Sequence, residues 1–131
     1  FSEKRINFLI SGEGNFYANI DFMRIEQVLV NLLMNAYKYS AEGSDIKLAF
    51  IPEKENFKIV ISDKGEGIPE QDLPYIFERF YRVDKSRTRT TGGVGLGLAI
   101  VQDIVKKHNG KIIVESIQNQ GTTFIIELPY S

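Results

Sequence analysis

The sequence predicts an α/β two-layer sandwich, a sheet with helices laid on one of its faces. Two observations carry that reading. Short apolar or alternating runs of strand length outnumber helical ones, and two longer segments repeat apolar residues at i, i+3, i+4 and i+7, the period of an amphipathic helix. A helix with one apolar stripe must bury it, and one sheet face is the economical place to do so. The scale agrees. A chain of 131 residues with 43% hydrophobic content makes one domain, able to bury roughly two thirds of the surface its unfolded form exposes.

The elements follow in order. Arg5 to Ser11 alternates, with Ile6, Phe8 and Ile10 on one face, and Gly12-Glu13-Gly14-Asn15 turns it toward a second strand at Phe16 to Ile20, so the pair reads as a hairpin. Asp21 caps a helix to about Ser40, whose apolar face is Ile25, Val28, Leu29, Leu32, Leu33 and Ala36. Ala41-Glu42-Gly43-Ser44 breaks it. Strands at Asp45 to Ile51 and Phe57 to Ser62 flank a turn around Pro52 to Asn56. Asp63 to Pro69 is a glycine loop, and Pro69 opens a short helix to Phe77. Arg79 to Thr91 is basic, polar and poor in apolar anchors, which predicts mobility. A helix from Leu96 to His108 ends at Asn109-Gly110, and strands at Lys111 to Ser116 and Thr123 to Leu128 flank a last turn.

Composition excludes several function classes. There is no cysteine, so disulfides and thiolate chemistry are out, and a lone His108 rules out histidine-rich metal sites. Sixteen basic against seventeen acidic residues leave a net charge of -1, so no global field draws the chain to nucleic acid or to an anionic membrane. No apolar run approaches the ~20 residues of a membrane span. A start at Phe1 without an initiator Met suggests a domain cut from a longer parent, which could itself be membrane-bound.

Three stretches carry candidate chemistry. Gly92-Gly93-Val94-Gly95-Leu96-Gly97 runs into a helix, and a glycine loop at a helix start leaves unpaired N–H groups at the positive end of a dipole, the makings of a phosphate site. By itself the cluster fits a flexible turn equally well. On the long helix, Arg24, Asn31, Asn35 and Lys38 fall on one stripe beside the apolar face, with Tyr39 at its border. Asn31 and Asn35, one turn apart, can converge on a hard cation that prefers oxygen, and Lys38 can reach phosphates as a point charge. Two neutral oxygens bind magnesium weakly, so phosphates must supply the rest. An exposed polar stripe is the simpler alternative. Asp63-Lys64-Gly65-Glu66-Gly67-Ile68-Pro69 follows the apolar run Ile59-Val60-Ile61. A carboxylate at a strand end can accept from an exocyclic amine such as adenine's, glycines let a base approach the backbone, and Ile68 can cover its flat face. An ordinary Asp-capped turn would also account for these residues. Phe77 and Phe80 are expected to anchor the segment that bears Arg82, an arginine suited to a transferring phosphoryl group. Lys85, Arg87 and Arg89 read as a solvated basic loop.

Four blocks thus stand in fixed order: Asn31-Leu32-Leu33-Met34-Asn35-Ala36 with Lys38-Tyr39, Asp63-x-Gly65-x-Gly67-Ile68, Phe77-x-x-Phe80-Tyr81-Arg82, and Gly93-x-Gly95-Leu96-Gly97-Leu98. Together they closely resemble the N, G1, F and G2 boxes of the catalytic, ATP-binding domain of bacterial sensor histidine kinases, over nearly all of Arg24 to Leu128. The resemblance implies the ATP fold shared with type II topoisomerases, heat-shock chaperone ATPases and mismatch-repair ATPases: a mixed, largely antiparallel sheet under three helices, with a mobile ATP lid at Tyr81 to Gly93. It also implies roles. Asn31 and Asn35 would coordinate Mg2+, Lys38 would touch phosphate and Tyr39 would lie against adenine. Asp63 would bond the adenine amino group, with Gly65, Gly67 and Ile68 shaping the base pocket. Arg82 would approach the γ-phosphate, and Gly93, Gly95, Leu96 and Gly97 would hold phosphates. Val94 departs from the Thr or Ser common there, which removes a hydroxyl contact and leaves the backbone donors.

The same resemblance implies a cytoplasmic domain of a homodimeric parent, which can be anchored in the inner membrane. Its ATP would phosphorylate a histidine on a separate dimerisation domain, which then supplies a response regulator. No such histidine is in these residues: His108 ends a helix beside Lys106 and Lys107, where a cation favours the dipole. The isolated domain is therefore expected to bind ATP and transfer almost nothing. Two other readings share these residues. ATP hydrolysis driving a clamp needs a carboxylate base near the metal helix, where Asn31 stands instead; a non-catalytic module would use nucleotide only to order an interaction surface.

Overall fold

The computed structural model describes residues 7–12, 22–40, 42–79 and 97–130. The elements are β1 (Asn7–Gly12), α1 (Phe22–Tyr39), β2 (Asp45–Pro52), β3 (Asn56–Asp63), a 3-10 helix (Glu70–Tyr75), α2 (Gly97–Lys107), β4 (Lys111–Ile117) and β5 (Gly121–Pro129). Among the described residues the strands form one sheet in the order β1-β2-β3-β5-β4. β2, β3, β5 and β4 pair antiparallel, and β1 pairs parallel with β2 from Asn7 opposite Asp45 to Gly12 opposite Phe50. The sheet is mixed and largely antiparallel, as expected. A parallel pair needs a crossover, and α1 lies between β1 and β2 in the chain. The hairpin expected between the first strand and 16–20 falls on residues outside those described.

Burial alternates along the strands, so one sheet face meets the helices. Ile46 and Leu48 of β2, Phe57, Ile59 and Ile61 of β3, and Phe124, Ile126 and Leu128 of β5 are buried. Onto them α1 lays Ile25, Val28, Leu32 and Ala36, and α2 lays Val101, Ile104 and Val105. These are the positions the helical period selects, with Leu29 and Leu33 only half-buried at the flank. The opposite sheet face carries Lys58 across from Glu127 and Lys111 across from the same Glu127, with Lys111 Nζ 4.0 Å from Glu127 Oε1. Charged cross-strand pairs belong on a face open to water.

The three expected helices are all present. The short one, expected from Pro69 to Phe77, runs Glu70–Tyr75 and winds as a 3-10 helix, with Pro74 inside it. Proline has no N–H to give to a carbonyl four residues back, and its ring crowds that carbonyl, so a full α-turn cannot close. At the other end of the helical layer α2 stops as expected: Asn109 adopts φ 60° and Gly110 N–H donates to Val105 O at 3.0 Å. His108 Nδ1 lies 2.9 Å from Ile104 O, the capping role read from its position. No helix among the described residues is long and apolar enough to cross a membrane.

Leu32 is wholly buried between α1 and the sheet. Replacing it with alanine should destabilise the chain by about 3 kcal/mol, the usual cost of a Leu-to-Ala cavity. Urea unfolding followed by circular dichroism reads that directly, and an unchanged midpoint would contradict this account of the core.

Candidate functional site

α1 presents three faces. One is buried, one holds exposed Met23, Val30 and Met34, and between them runs the stripe of Asn31, Asn35, Lys38 and Tyr39, all half-buried. Two neighbours meet that stripe. The Asn31 side-chain amide lies 3.5 Å from the Gly97 carbonyl, at the start of α2. At the helix end, Tyr39 O accepts from Glu66 N–H at 3.1 Å, and Ser40 forms a β-bridge with Gly65. Thus the Asn31 stripe, the Asp63 loop and the start of α2 lie along one side of the helical layer.

Glycine at 65 is required by that meeting. A Cβ there would stand 2.0 Å from Tyr39 O, far inside contact distance, so only a glycine lets the loop lie against the helix end. Gly67 has φ 70°, and a Cβ on it would stand 2.2 Å from Ile117 O. Gly97 differs. Among the described residues a Cβ there would meet nothing within 4 Å, so their packing does not demand glycine at this helix start.

Asp63 closes β3 beside Thr122 of β5. Its Oδ1 accepts from Gly65 N–H at 2.9 Å. Partial burial pushes its carboxyl above the ordinary value of 3.8, while the backbone bonds from Gly65 and Thr122 pull the other way. Two N–H donors leave a carboxylate spare lone pairs, so the group can still accept from a ligand amine. Phe77 is half-buried and packs edge-on against Phe124 at 6.5 Å, the anchoring expected of it. Phe80, Arg82, Gly93, Val94, Gly95 and Leu96, and the lid expected at 81–93, lie outside the described residues.

The sequence reading missed a buttress behind the Asp63 loop. The turn between β4 and β5 grips it: Asn119 N–H donates to Glu66 O at 2.5 Å and Ile68 N–H donates to Ser116 Oγ at 2.7 Å. A signal was present. Ser116 shares the inward register of Ile112 and Val114, and Thr122 that of Phe124, Ile126 and Leu128, so polar residues stand where alternation calls for apolar ones.

Comparison with known proteins agrees with this geometry. The family of histidine kinase-, DNA gyrase B- and HSP90-like ATPases matches residues 20–131. The chain belongs to that family. Among histidine kinase-like ATPases, sensor histidine kinase WalK of Bacillus subtilis (strain 168) is 44% identical over 131 residues, covering 98% of this chain and 21% of WalK. The chain therefore spans about a fifth of that relative. The nucleotide-free catalytic domain of histidine kinase ThkA superposes with a TM-score of 0.80 at 31% identity, over 95% of this chain and 79% of that one. A mycobacterial sensor histidine kinase, MprB, gives 0.80 at 32%, over 95% and 81%. The resemblance drawn from the four boxes holds in family and in fold, and the family makes this an ATP-binding domain.

The raised carboxyl of Asp63 has a sign that can be tested. Its folded form binds a proton more readily than its unfolded form, so its favourable contribution to stability is complete below 3.8 and is lost as pH rises through the folded value. Asp63→Asn should therefore melt no lower than the parent at pH 7, with the gap closing as pH falls toward 3.8. Calorimetric scans across that range decide; a variant that melts well below the parent at pH 7 would show that the carboxylate holds the loop together.

Proposed function

We propose that this chain is the ATP-binding catalytic unit of a sensor histidine kinase, holding Mg-ATP and delivering its γ-phosphoryl group to a histidine on a separate dimerisation domain. The observation that carries the proposal is the convergence of the Asn31 stripe, the Asp63 loop and the Gly97 helix start on one side of the helical layer.

Each group has a task. Asp63 accepts the adenine amino group, with Gly65 and Gly67 letting the base close on the backbone and Ile68 and Tyr39 bordering it. Asn31 and Asn35 would hold magnesium. Their chemistry fits an oxygen-seeking cation that is delivered with its phosphates: two neutral amides one helical turn apart, with no His/Asp/Glu metal cluster among the described residues to form a standing site. When bound, the ion neutralises phosphate charge. Lys38 and the backbone of Gly93, Gly95, Leu96 and Gly97 hold the phosphates, and Arg82 stabilises charge on the phosphoryl group in flight.

In the transfer an imidazole nitrogen of the other domain forms the P–N bond. The bond from the γ-phosphorus to the bridging oxygen breaks, ADP leaves, and the ring proton passes to a base outside this chain. Catalysis of this kind is positioning and electrostatics, so the unit needs its partner domain in place before it turns over. The phosphohistidine then serves a response regulator, and the parent is a homodimer through its dimerisation domain. Asn31 weighs against a hydrolytic clamp, since an amide cannot take a proton from water.

Calorimetric titration of the chain with ATP and with GTP, each with and without magnesium, tests this. ATP should bind selectively without turnover, Asn35→Ala should remove most of the magnesium dependence, and Asp63→Asn should weaken binding by roughly tenfold or more, as loss of a charge-assisted bond does. Rapid hydrolysis by the isolated chain would overturn the kinase reading. Equal binding of GTP would overturn the role of Asp63.

A further inference from the structure

Ser116 belongs to no block of the nucleotide site, yet its hydroxyl joins three contacts behind it. Its Oγ lies 2.7 Å from Ile68 N, 3.1 Å from Gly121 O and 2.8 Å from Thr122 Oγ1. A hydroxyl has one proton to give and two lone pairs to accept with. The amide at Ile68 can only donate and the Gly121 carbonyl can only accept. All three contacts are hydrogen bonds in one arrangement: Ser116 donates to Gly121 O and accepts from both Ile68 N–H and Thr122 O–H. That arrangement fixes the Thr122 proton toward Ser116 and leaves the Thr122 oxygen an acceptor on its other side.

Thr122 is buried, stands opposite Asp63 in the sheet, and gives its backbone N–H to the Asp63 carboxylate. We infer that Ser116 is a positioning residue for purine selection: it pins the Ile68 end of the Asp63 loop to the β4–β5 hairpin and holds the Thr122 hydroxyl as an acceptor. The base is then met by acceptors on the Asp63 side, which favour a purine bearing an exocyclic amine and disfavour one bearing a carbonyl there. Without the Ser116 hydroxyl, the Ile68 amide and the Gly121 carbonyl lose their partner and the Thr122 proton is free to turn. The inference rests on the adenine reading of Asp63 and goes beyond it, because it assigns the discrimination to a side chain that does not touch the nucleotide.

The test is titration of the parent chain, Ser116→Ala, Ser116→Cys and Ser116→Thr with ATP, inosine triphosphate and inorganic tripolyphosphate. Cysteine keeps the shape and gives up the strong hydrogen bonds, whereas threonine keeps the hydroxyl. Ser116→Ala and Ser116→Cys should each lose about tenfold in ATP affinity, the usual effect of stranding buried polar groups. Their preference for ATP over inosine triphosphate should narrow, tripolyphosphate binding should not move, and Ser116→Thr should match the parent. A merely structural serine would depress all three ligands together, and that result overturns the inference. So does a Ser116→Ala that binds and discriminates like the parent, or a Ser116→Thr that falls with the alanine variant. A parent chain that binds no ATP overturns both this inference and the reading beneath it, whereas an unchanged Ser116→Ala in a binding parent overturns this one alone.

Discussion

The site depends on one close approach, that of the Gly65 backbone to the carbonyl of Tyr39. The last turn of a helix leaves carbonyls without partners inside the helix, and here the Tyr39 carbonyl takes the Glu66 amide at 3.1 Å. The bond therefore does two things. It finishes α1, and it fixes the loop that bears Asp63 against the same helix that bears Asn31 and Asn35. A side chain at residue 65 would push loop and helix apart, and Asp63 would lose its register with Asn31 and Asn35. The glycine is a geometric requirement of two elements meeting rather than a source of flexibility.

Charge in this site is used sparingly, and each choice has a cost elsewhere. In the proposed site two asparagines would offer oxygens without a standing negative charge, which avoids self-repulsion before a cation arrives and leaves phosphates to supply the remaining ligands. Asp63 is the exception. Burial raises its carboxyl, which means the folded chain carries a group that is costly to ionise, the acceptor that the proposed base contact would use. The two backbone donors from Gly65 and Thr122 offset part of that cost and also aim the carboxylate. Binding groups held by backbone in this way lose little freedom when a ligand arrives, which is where a rigid pocket gains over a flexible one.

Much of this was legible in the residues. The core face of α1, the α2 segment and the paired strands followed from periods of 3.6 and 2, because burial alone sets those patterns. The four boxes, taken in order, fixed the family. The rest depended on contacts between parts distant in sequence. No local pattern says that β1 pairs parallel with β2 or that β5 lies between β3 and β4. The short helix opened by Pro69 was expected, but which winding Pro74 allows it was not weighed. The Ser116 hub was missed for a similar reason. Its partners are separated by a glycine loop and a hairpin, and only the alternation that turns Ser116 and Thr122 inward hinted at it.

Two strand ends meet where the Asp63 loop begins, one at Asp63 and one at Gly121. β3 and β5 run antiparallel, so the end of β3 at Asp63 and the start of β5 at Gly121 fall side by side, and the β4–β5 turn lies against the same loop. A carboxylate at one strand end can then be buttressed by the neighbouring strand through backbone and hydroxyl groups. The helical layer could not provide this, since its interior amides and carbonyls are already spent on one another. The two-layer fold thus leaves backbone of one kind open at the strand ends beside Asp63 and of another at the start of α2, and the proposed site draws on both.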